Sequence, residues 1–162
     1  MPQNSETPQA AAPLAELTFA PLLAENLDAV LSIEQKAYAH PWTRANFTDT
    51  LLSGYQAQML VADGAVLGYF VAMQGVDEVH LLNITVDPAH QGQGLAGLIL
   101  DAMHLWARGR SAQWSWLEVR VGNLRAMRLY ARHGYSRVGQ RKNYYPASHG
   151  QREDAVVMSL QL

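Results

Sequence analysis

The chain of 162 residues contains no cysteine, which excludes disulfides, thiolate zinc sites and a cysteine nucleophile. Only 16% of its residues are charged, and the formal net charge of -2 offers no broad basic surface for nucleic acid. No apolar run approaches the length of a membrane span. Met1 to Pro13 lacks the basic start and apolar stretch of a signal peptide. The six histidines are scattered, without a two-histidine helical spacing, so no metal is expected. What remains is the composition of a cytoplasmic enzyme or binding domain, a monomer with neither nucleic-acid nor membrane partners. The length fits one domain, 15–162, able to bury roughly two-thirds of its unfolded surface. Residues 1–14, rich in Gln, Asn, Ser, Thr, Pro and Ala, read as a disordered tail.

The most specific segment is Asn83-Ile84-Thr85-Val86-Asp87-Pro88-Ala89-His90-Gln91-Gly92-Gln93-Gly94-Leu95-Ala96-Gly97. It reads as a strand, a proline-closed turn and a glycine-rich loop that opens a helix. Small residues at a helix start leave its free N–H groups exposed and let a ligand approach the backbone. With the positive end of the helix dipole, those donors favour a phosphate or pyrophosphate. The spacing Gly92-x-Gly94-x-x-Gly97 fits a dinucleotide fingerprint, and Glu118 lies near the place of its acidic residue. Context opposes NAD. Asp87 to Gln91 separates the strand from the first glycine, and Glu118 sits inside the apolar run Trp116-Leu117-Glu118-Val119. The chain is also short for two mononucleotide-binding halves. A P-loop is excluded, because no Gly-Lys-Ser/Thr follows the glycines.

Hydrophobic spacing orders the rest of the chain. Leu17 to Pro21 predicts a strand, and Leu27, Val30, Leu31 and Ala37 predict a helix over Asn26 to Tyr38. His40-Pro41-Trp42 breaks that helix. Thr43 caps a second, with Phe47 and Leu51 one turn apart, which Ser53-Gly54 ends. Strands over Gln56 to Ala62 and Val66 to Gln74 are joined by the hairpin dipeptide Asp63-Gly64. Glu78 to Val86 is a strand, and Gly94 to Arg108 a helix offering Leu95, Leu98, Ile99, Met103 and Leu105 to the core. Trp114 to Arg120 is a strand. Asn123 caps a helix running to His133, with Gly134 closing it. Strands over Val138 to Tyr144 and Ala155 to Leu160 complete the chain. The expected fold is a single-domain α/β structure, a mixed and mostly antiparallel sheet of about seven strands with four helices. The unit from Glu78 through Arg120 implies a right-handed crossover between two parallel strands.

Some residues admit two readings. Alternation puts Glu118 on one strand face with Trp116 and Arg120. It is either a half-buried ion pair with Arg120 or a general base flanked by apolar neighbours. Tyr130, on its helix, reads as a core aromatic of an amphipathic face. Asn123 reads as a helix N-cap. The aromatic–proline loops His40-Pro41-Trp42 and Tyr144-Tyr145-Pro146 suit packed turns equally well.

Read as Gln91-x-x-Gly94-x-Ala96, the glycine loop resembles the acetyl-CoA motif of the GNAT N-acetyltransferases. Trp116 to Asn123 and Leu129-Tyr130-Ala131-Arg132-His133-Gly134-Tyr135 match that family in order. Arg141-Lys142-Asn143-Tyr144-Tyr145-Pro146 resembles the closing loop of its RimI-type branch, which acetylates the N-terminal alanine of a small-subunit ribosomal protein. The resemblance covers about Leu17 to Leu162. It implies that the parallel strands splay to admit the pantetheine arm of acetyl-CoA, the cosubstrate. It assigns the base to Glu118 and the acid to Tyr130. Ile84, Thr85, Val86, Gln91, Gly92, Gln93, Gly94, Leu95, Ala96, Gly97 and Asn123 would hold the cofactor. N–H groups of Ile84 to Val86 would polarise the thioester carbonyl. His40, Trp42 and Tyr145 would border the acceptor, the N-terminus of a ribosomal protein. The loop departs from many relatives in carrying Gly92 and Gln93 where they have basic residues, which shifts phosphate binding towards backbone donors. Rival readings are acetylation of a small-molecule amine or another protein N-terminus, and a non-catalytic acyl-CoA-binding module.

Overall fold

A computed structural model describes residues 15–162, and the expected tail 1–14 lies outside them. The chain forms β1 (Thr18–Pro21), α1 (Leu27–Ala37), α2 (Arg44–Leu52), β2 (Gln56–Ala62), β3 (Ala65–Gln74) and β4 (Glu78–Val86). After these come α3 (Leu95–Gly109), β5 (Trp114–Arg120), α4 (Leu124–Arg132), β6 (Ser136–Pro146) and β7 (Arg152–Gln161). The strands make one seven-stranded sheet in the order β1-β2-β3-β4-β5-β7-β6. Among the described residues only the β4–β5 pair, linked through α3, is parallel. The expected mixed α/β architecture is the observed one.

Local chemistry accounts for the punctuation. Asp63 (φ 50) and Gly64 (φ 76) both take the left-handed conformation of a tight hairpin turn between β2 and β3. The Thr43 side chain accepts from the Asn46 N–H at 3.2 Å and starts α2. Asn123 does the same for α4, its Oδ1 accepting from the Ala126 N–H at 3.1 Å.

Two apolar layers cover the sheet. Leu27, Val30, Leu31 and Phe47 of α1 and α2 pack with Met59, Tyr69 and Val71 on one face. Ile99, Leu100 and Met103 of α3, with Tyr130 of α4, pack with Val79, Leu81, Leu117 and Val119 on the other. One expectation for α3 fails: Leu98 and Leu105 are exposed, at 38% and 73%. They stand two helical turns apart on the outward side, while Leu95, Ile99, Leu100, Met103, His104 and Ala107 form the buried stripe. The last two strands also run longer at both ends than hydrophobicity suggested, because β6 is an exposed edge strand whose pairing with β7 includes polar residues.

His104 gives the core a pH dependence. It is buried, and its Nε2 lies 2.8 Å from the Tyr135 hydroxyl, which lies 2.6 Å from Ser115 Oγ. Burial pushes the imidazole pKa down from 6.5 to about 4, since there is no water to solvate the cation. Below pH 6.5 the unfolded chain therefore binds this proton and the folded chain does not. Stability is retained above that pH and falls as pH drops towards 4, by about 3 kcal/mol in full. Urea midpoints followed across this window are expected to show a shallower acid decline in His104→Asn than in the parent.

The feature that positions the site is the incomplete parallel pair. β4 and β5 are in register only from Glu78↔Trp114 to Leu81↔Leu117. Beyond it β4 stays with β3, where the register shifts between Val71 and Ala72 and leaves Leu82 as an extra residue. Meanwhile β5 stays with β7 through Arg120↔Ala155. A bulge bends its strand, so the two strands diverge and open a gap in the middle of the sheet.

Candidate active site

A cavity of about 910 Å³ occupies this gap and reaches both faces of the sheet. The backbone of β4 beside it is directed by alternation. The Asp87 N–H donates to the Leu67 carbonyl at 2.8 Å, so Thr85 also faces β3 while Ile84 and Val86 face the gap. Side chains hold the two gap-facing carbonyls: Tyr38 OH donates to Ile84 O at 2.9 Å, and Gln91 Nε2 to Val86 O at 3.2 Å. The N–H groups of Ile84 and Val86 point the same way, towards the cavity.

At the cavity mouth Gly94 (φ 78) is the residue before α3 and supplies no side-chain cap. The N–H groups of Leu95, Ala96 and Gly97 consequently have no intrahelical acceptor. A Cβ built on Gly92 or Gly94 would meet nothing within 4 Å, so both backbones are open to a ligand. The loop thus forms a cradle of unpaired donors fitted to an anion. The cation that the loop itself lacks comes from α4: Arg125 Nη1 donates to Gln91 Oε1 at 3.3 Å. Among the candidate ligand residues, Ile84, Thr85, Val86, Gln91, Gly92, Gly94, Leu95, Ala96, Gly97 and Asn123 line the cavity. Gln93 does not; it is exposed. Thr85 contributes little beyond backbone, because its hydroxyl is bonded to Asn83 and Tyr38.

Glu118 and Tyr130 reach the cavity from opposite sides. Leu117 and Val119 pack towards α3 and α4, so Glu118 between them faces the side of α1 and α2. Its side chain is 8% exposed and Oε1 forms an ion pair with Arg141, whose Nε lies 3.3 Å away. Oε2 is hydrogen-bonded to His80 Nε2. The anticipated alternative, a pair with Arg120, does not form. Arg120 Nη1 instead meets Glu153 Oε1 at 3.2 Å and the Pro146 carbonyl at 2.7 Å. Its guanidinium stacks 4.6 Å above the Tyr145 ring.

Tyr130 lies on the α3–α4 side, buried and edge-on to Tyr135. Among the described residues its hydroxyl has no hydrogen-bond partner. Burial, reinforced by neighbouring tyrosines, drives its pKa far above that of a free phenol, so the proton stays on oxygen. His40, Trp42 and Tyr145 line the Glu118 side. The Tyr145 phenol is likewise pushed up, by burial first and the Glu118 charge second.

Sequence reasoning missed the most buried acidic side chain among the described residues. Glu34 of α1 is 1% exposed. It accepts from Tyr69 OH, from Asn83 Nδ2 at 3.2 Å and from the Trp42 N–H at 3.0 Å. Asn83 Oδ1 then takes the Thr85 hydroxyl at 2.7 Å, which is 2.7 Å from Tyr38 OH. This network ties the His40-Pro41-Trp42 loop to the gap-lining segment of β4. The signal was available: position 34 continues the apolar stripe of Leu27, Val30 and Leu31. Among the described residues no group of three His, Asp or Glu side chains could hold a metal, and no helix is long and apolar enough to cross a membrane.

A sheet that splays at its one parallel pair, with an anion cradle at the mouth and a carboxylate and a phenol on either side, is the build of an acyl-transfer enzyme. The chain matches the model of the Acetyltransferase (GNAT) family over residues 27–135, and it belongs to that family. It is 36% identical over 143 residues to the ribosomal protein bS18-alanine N-acetyltransferase of Escherichia coli strain K12, across 88% of this chain and 96% of that protein. Against the enzyme of the same name from Haemophilus ducreyi the identity is 33% over 141 residues, 87% and 97% of the two chains. The crystal structure of the ribosomal-protein-S18-alanine N-acetyltransferase from Escherichia coli superposes with a TM-score of 0.84 at 35% identity, covering 90% of this chain and 94% of that one.

Proposed function

We propose that residues 15–162 form a cytoplasmic, monomeric acetyltransferase domain that moves the acetyl group of acetyl-CoA directly to the N-terminal alanine of small-subunit ribosomal protein bS18. The observation that carries the reaction is the gap between β4 and β5, with Glu118 on one side and Tyr130 on the other. The choice of acceptor is supported by the relatives at 33–36% identity that bear this activity in their names.

In this mechanism the pyrophosphate of acetyl-CoA lies on the Gln91–Gly97 loop, and its acyl end lies in the gap. The Ile84 and Val86 N–H groups face the thioester carbonyl and stabilise the oxyanion that develops on it. The acceptor amine enters past Trp42 and Tyr145. An α-amine has a pKa of about 8 and is mostly protonated at neutral pH. Glu118 removes that proton, directly or through water. The freed amine attacks, Tyr130 protonates the departing thiolate, and the second proton of the nitrogen passes to the Tyr130 oxygen and restores the phenol. Burial raises the basicity of a thiolate in the same dry surroundings as it raises that of the phenol, so the transfer is not penalised by the high phenol pKa.

The acceptor is tested with a peptide that copies the start of bS18 and carries a free N-terminal alanine. Mass spectrometry is expected to show one acetyl group, on the α-amine. Equal turnover of an N-terminally blocked peptide with free lysines sinks the assignment.

The cofactor site is tested by calorimetry with acetyl-CoA. Gly94→Glu adds a carboxylate at the anion cradle and strains a left-handed backbone, at a cost of about 1–3 kcal/mol. Binding is expected to become undetectable. Gly94→Asn, which tolerates that backbone without charge, is expected to bind far better. Arg125→Gln is expected to weaken binding about tenfold, with a gentler salt dependence than the parent. Parental affinity in Gly94→Glu places the phosphates elsewhere.

A further inference from the structure

Acetylation of an ammonium group by a thioester gives an amide, a thiol and one net proton. Two protons leave the nitrogen in each cycle. One ends on the thiol sulfur by way of Tyr130, and the other is left on Glu118. It must depart before the carboxylate can serve again. This rests on the base role given to Glu118 above.

The surroundings of Glu118 leave few routes out. Its side chain is 8% exposed, and Oε1 faces the Arg141 guanidinium at 3.3 Å, a group that cannot accept a proton. Arg120, on the same face, is taken by Glu153 and the Pro146 carbonyl. Trp116, the preceding residue on that face, has only a donor to offer. Oε2 alone meets a group that can both accept and donate a proton, namely the His80 imidazole through Nε2. His80 stands on β4 opposite Trp116, just before the strands part. Its side chain is 28% exposed, so it touches both the enclosed carboxylate and solvent.

We infer that His80 is the proton exit of the site, relaying the proton left on Glu118 Oε2 to water or buffer after each acetyl transfer. In that step the O–H bond of the Glu118 carboxyl breaks and an N–H bond forms at His80 Nε2. The imidazolium then gives a proton to a solvent base, which restores the neutral ring and the carboxylate. His80 acts through Glu118 and touches no reacting atom of the substrates. Nothing here is needed for the first turnover, because the relay acts only on the proton that turnover leaves behind.

The test compares first and later turnovers of acetyl-CoA with the alanine peptide in His80→Gln and His80→Phe. Gln keeps a hydrogen-bond donor for Oε2 without being able to relay a proton, whereas Phe keeps only the ring shape. In weak buffer, His80→Gln is expected to complete its first turnover near the parental rate. Its later turnovers should slow about tenfold or more, and added imidazole should restore them. A merely structural role predicts a slowed first turnover that imidazole leaves unchanged. The inference is overturned if first and later turnovers fall together, if neither falls in both variants, or if imidazole restores nothing. Glu118→Gln run alongside keeps the two readings apart: a parental first turnover in that variant removes the base role itself.

Discussion

Glu118→Gln and Tyr130→Phe are each expected to slow single-turnover acetylation at saturating acetyl-CoA by about 10²–10⁴-fold, the usual contribution of a positioned acid or base. Both changes nearly conserve volume, and each deletes one proton-transfer function. The amide of Gln still occupies the place between Arg141 and His80, so the local packing survives. It cannot take a proton from the amine. Tyr130 is the cleaner case. Its hydroxyl has no hydrogen-bond partner among the described residues, so Phe orphans no buried group and should leave thermal stability and acetyl-CoA binding close to parental. Rapid-quench measurements of both variants across pH, beside melting curves, decide the matter. Parental rates and profiles in both would make the pair structural and require another route for the two protons.

Glu34→Leu is expected to cost about 3–5 kcal/mol of folding stability, because each buried donor left without its acceptor costs about 1–3 kcal/mol. The leucine has the wrong chemistry for its place: Tyr69 OH, Asn83 Nδ2 and the Trp42 N–H all lose their acceptor at once. Burial and the adjacent carboxylate hold the Tyr69 phenol far above its ordinary pKa, so it is a donor at every accessible pH and cannot adapt. Small domains are typically stable by about 5–15 kcal/mol, which makes this a large fraction of the whole. Glu34→Gln keeps one acceptor oxygen and should lose less. Because the Trp42 loop is held by the same carboxylate, Glu34→Gln is also expected to raise KM for the peptide more than KM for acetyl-CoA. Urea unfolding of both variants measures the first effect and steady-state kinetics the second. A loss below about 1 kcal/mol in Glu34→Leu would show that water or a shifted side chain replaces the carboxylate.

Much of the fold was legible because it is encoded locally. Asp63-Gly64 demands left-handed backbone at both turn positions, and the structure has it. Thr43 and Asn123 accept from the N–H groups of Asn46 and Ala126, as their residue types and positions imply. The loop Gln91 to Gly97 lacks Cβ atoms where the backbone must stay open, and Glu118 alternates with core residues. Such signals need only a few neighbouring residues to be read.

The partners of these groups were not legible. Arg120 is two residues from Glu118 and shares its face, so chain proximity favoured that pair. The partners found, His80 and Arg141, come from β4 and β6, brought in by the strand order. Glu34 followed the apolar stripe of its helix, yet a carboxylate on a helix surface is exposed by default. Only the convergence of Tyr69, Asn83 and the Trp42 backbone makes its burial tolerable. The compensation for the absent basic residues of the glycine loop was equally hidden, since Arg125 lies on another helix.

The sequence by itself determined the elements and the open glycine loop, because short-range rules of capping, alternation and backbone conformation specify them, while it singled out Glu118 and Tyr130 only through resemblance to the family. Tertiary structure decided where β4 and β5 part. It also decided which side of the gap each group faces and which residues surround Glu118. Those depend on a bulge at Leu82 and on pairings between strands far apart in the chain, which no local pattern contains.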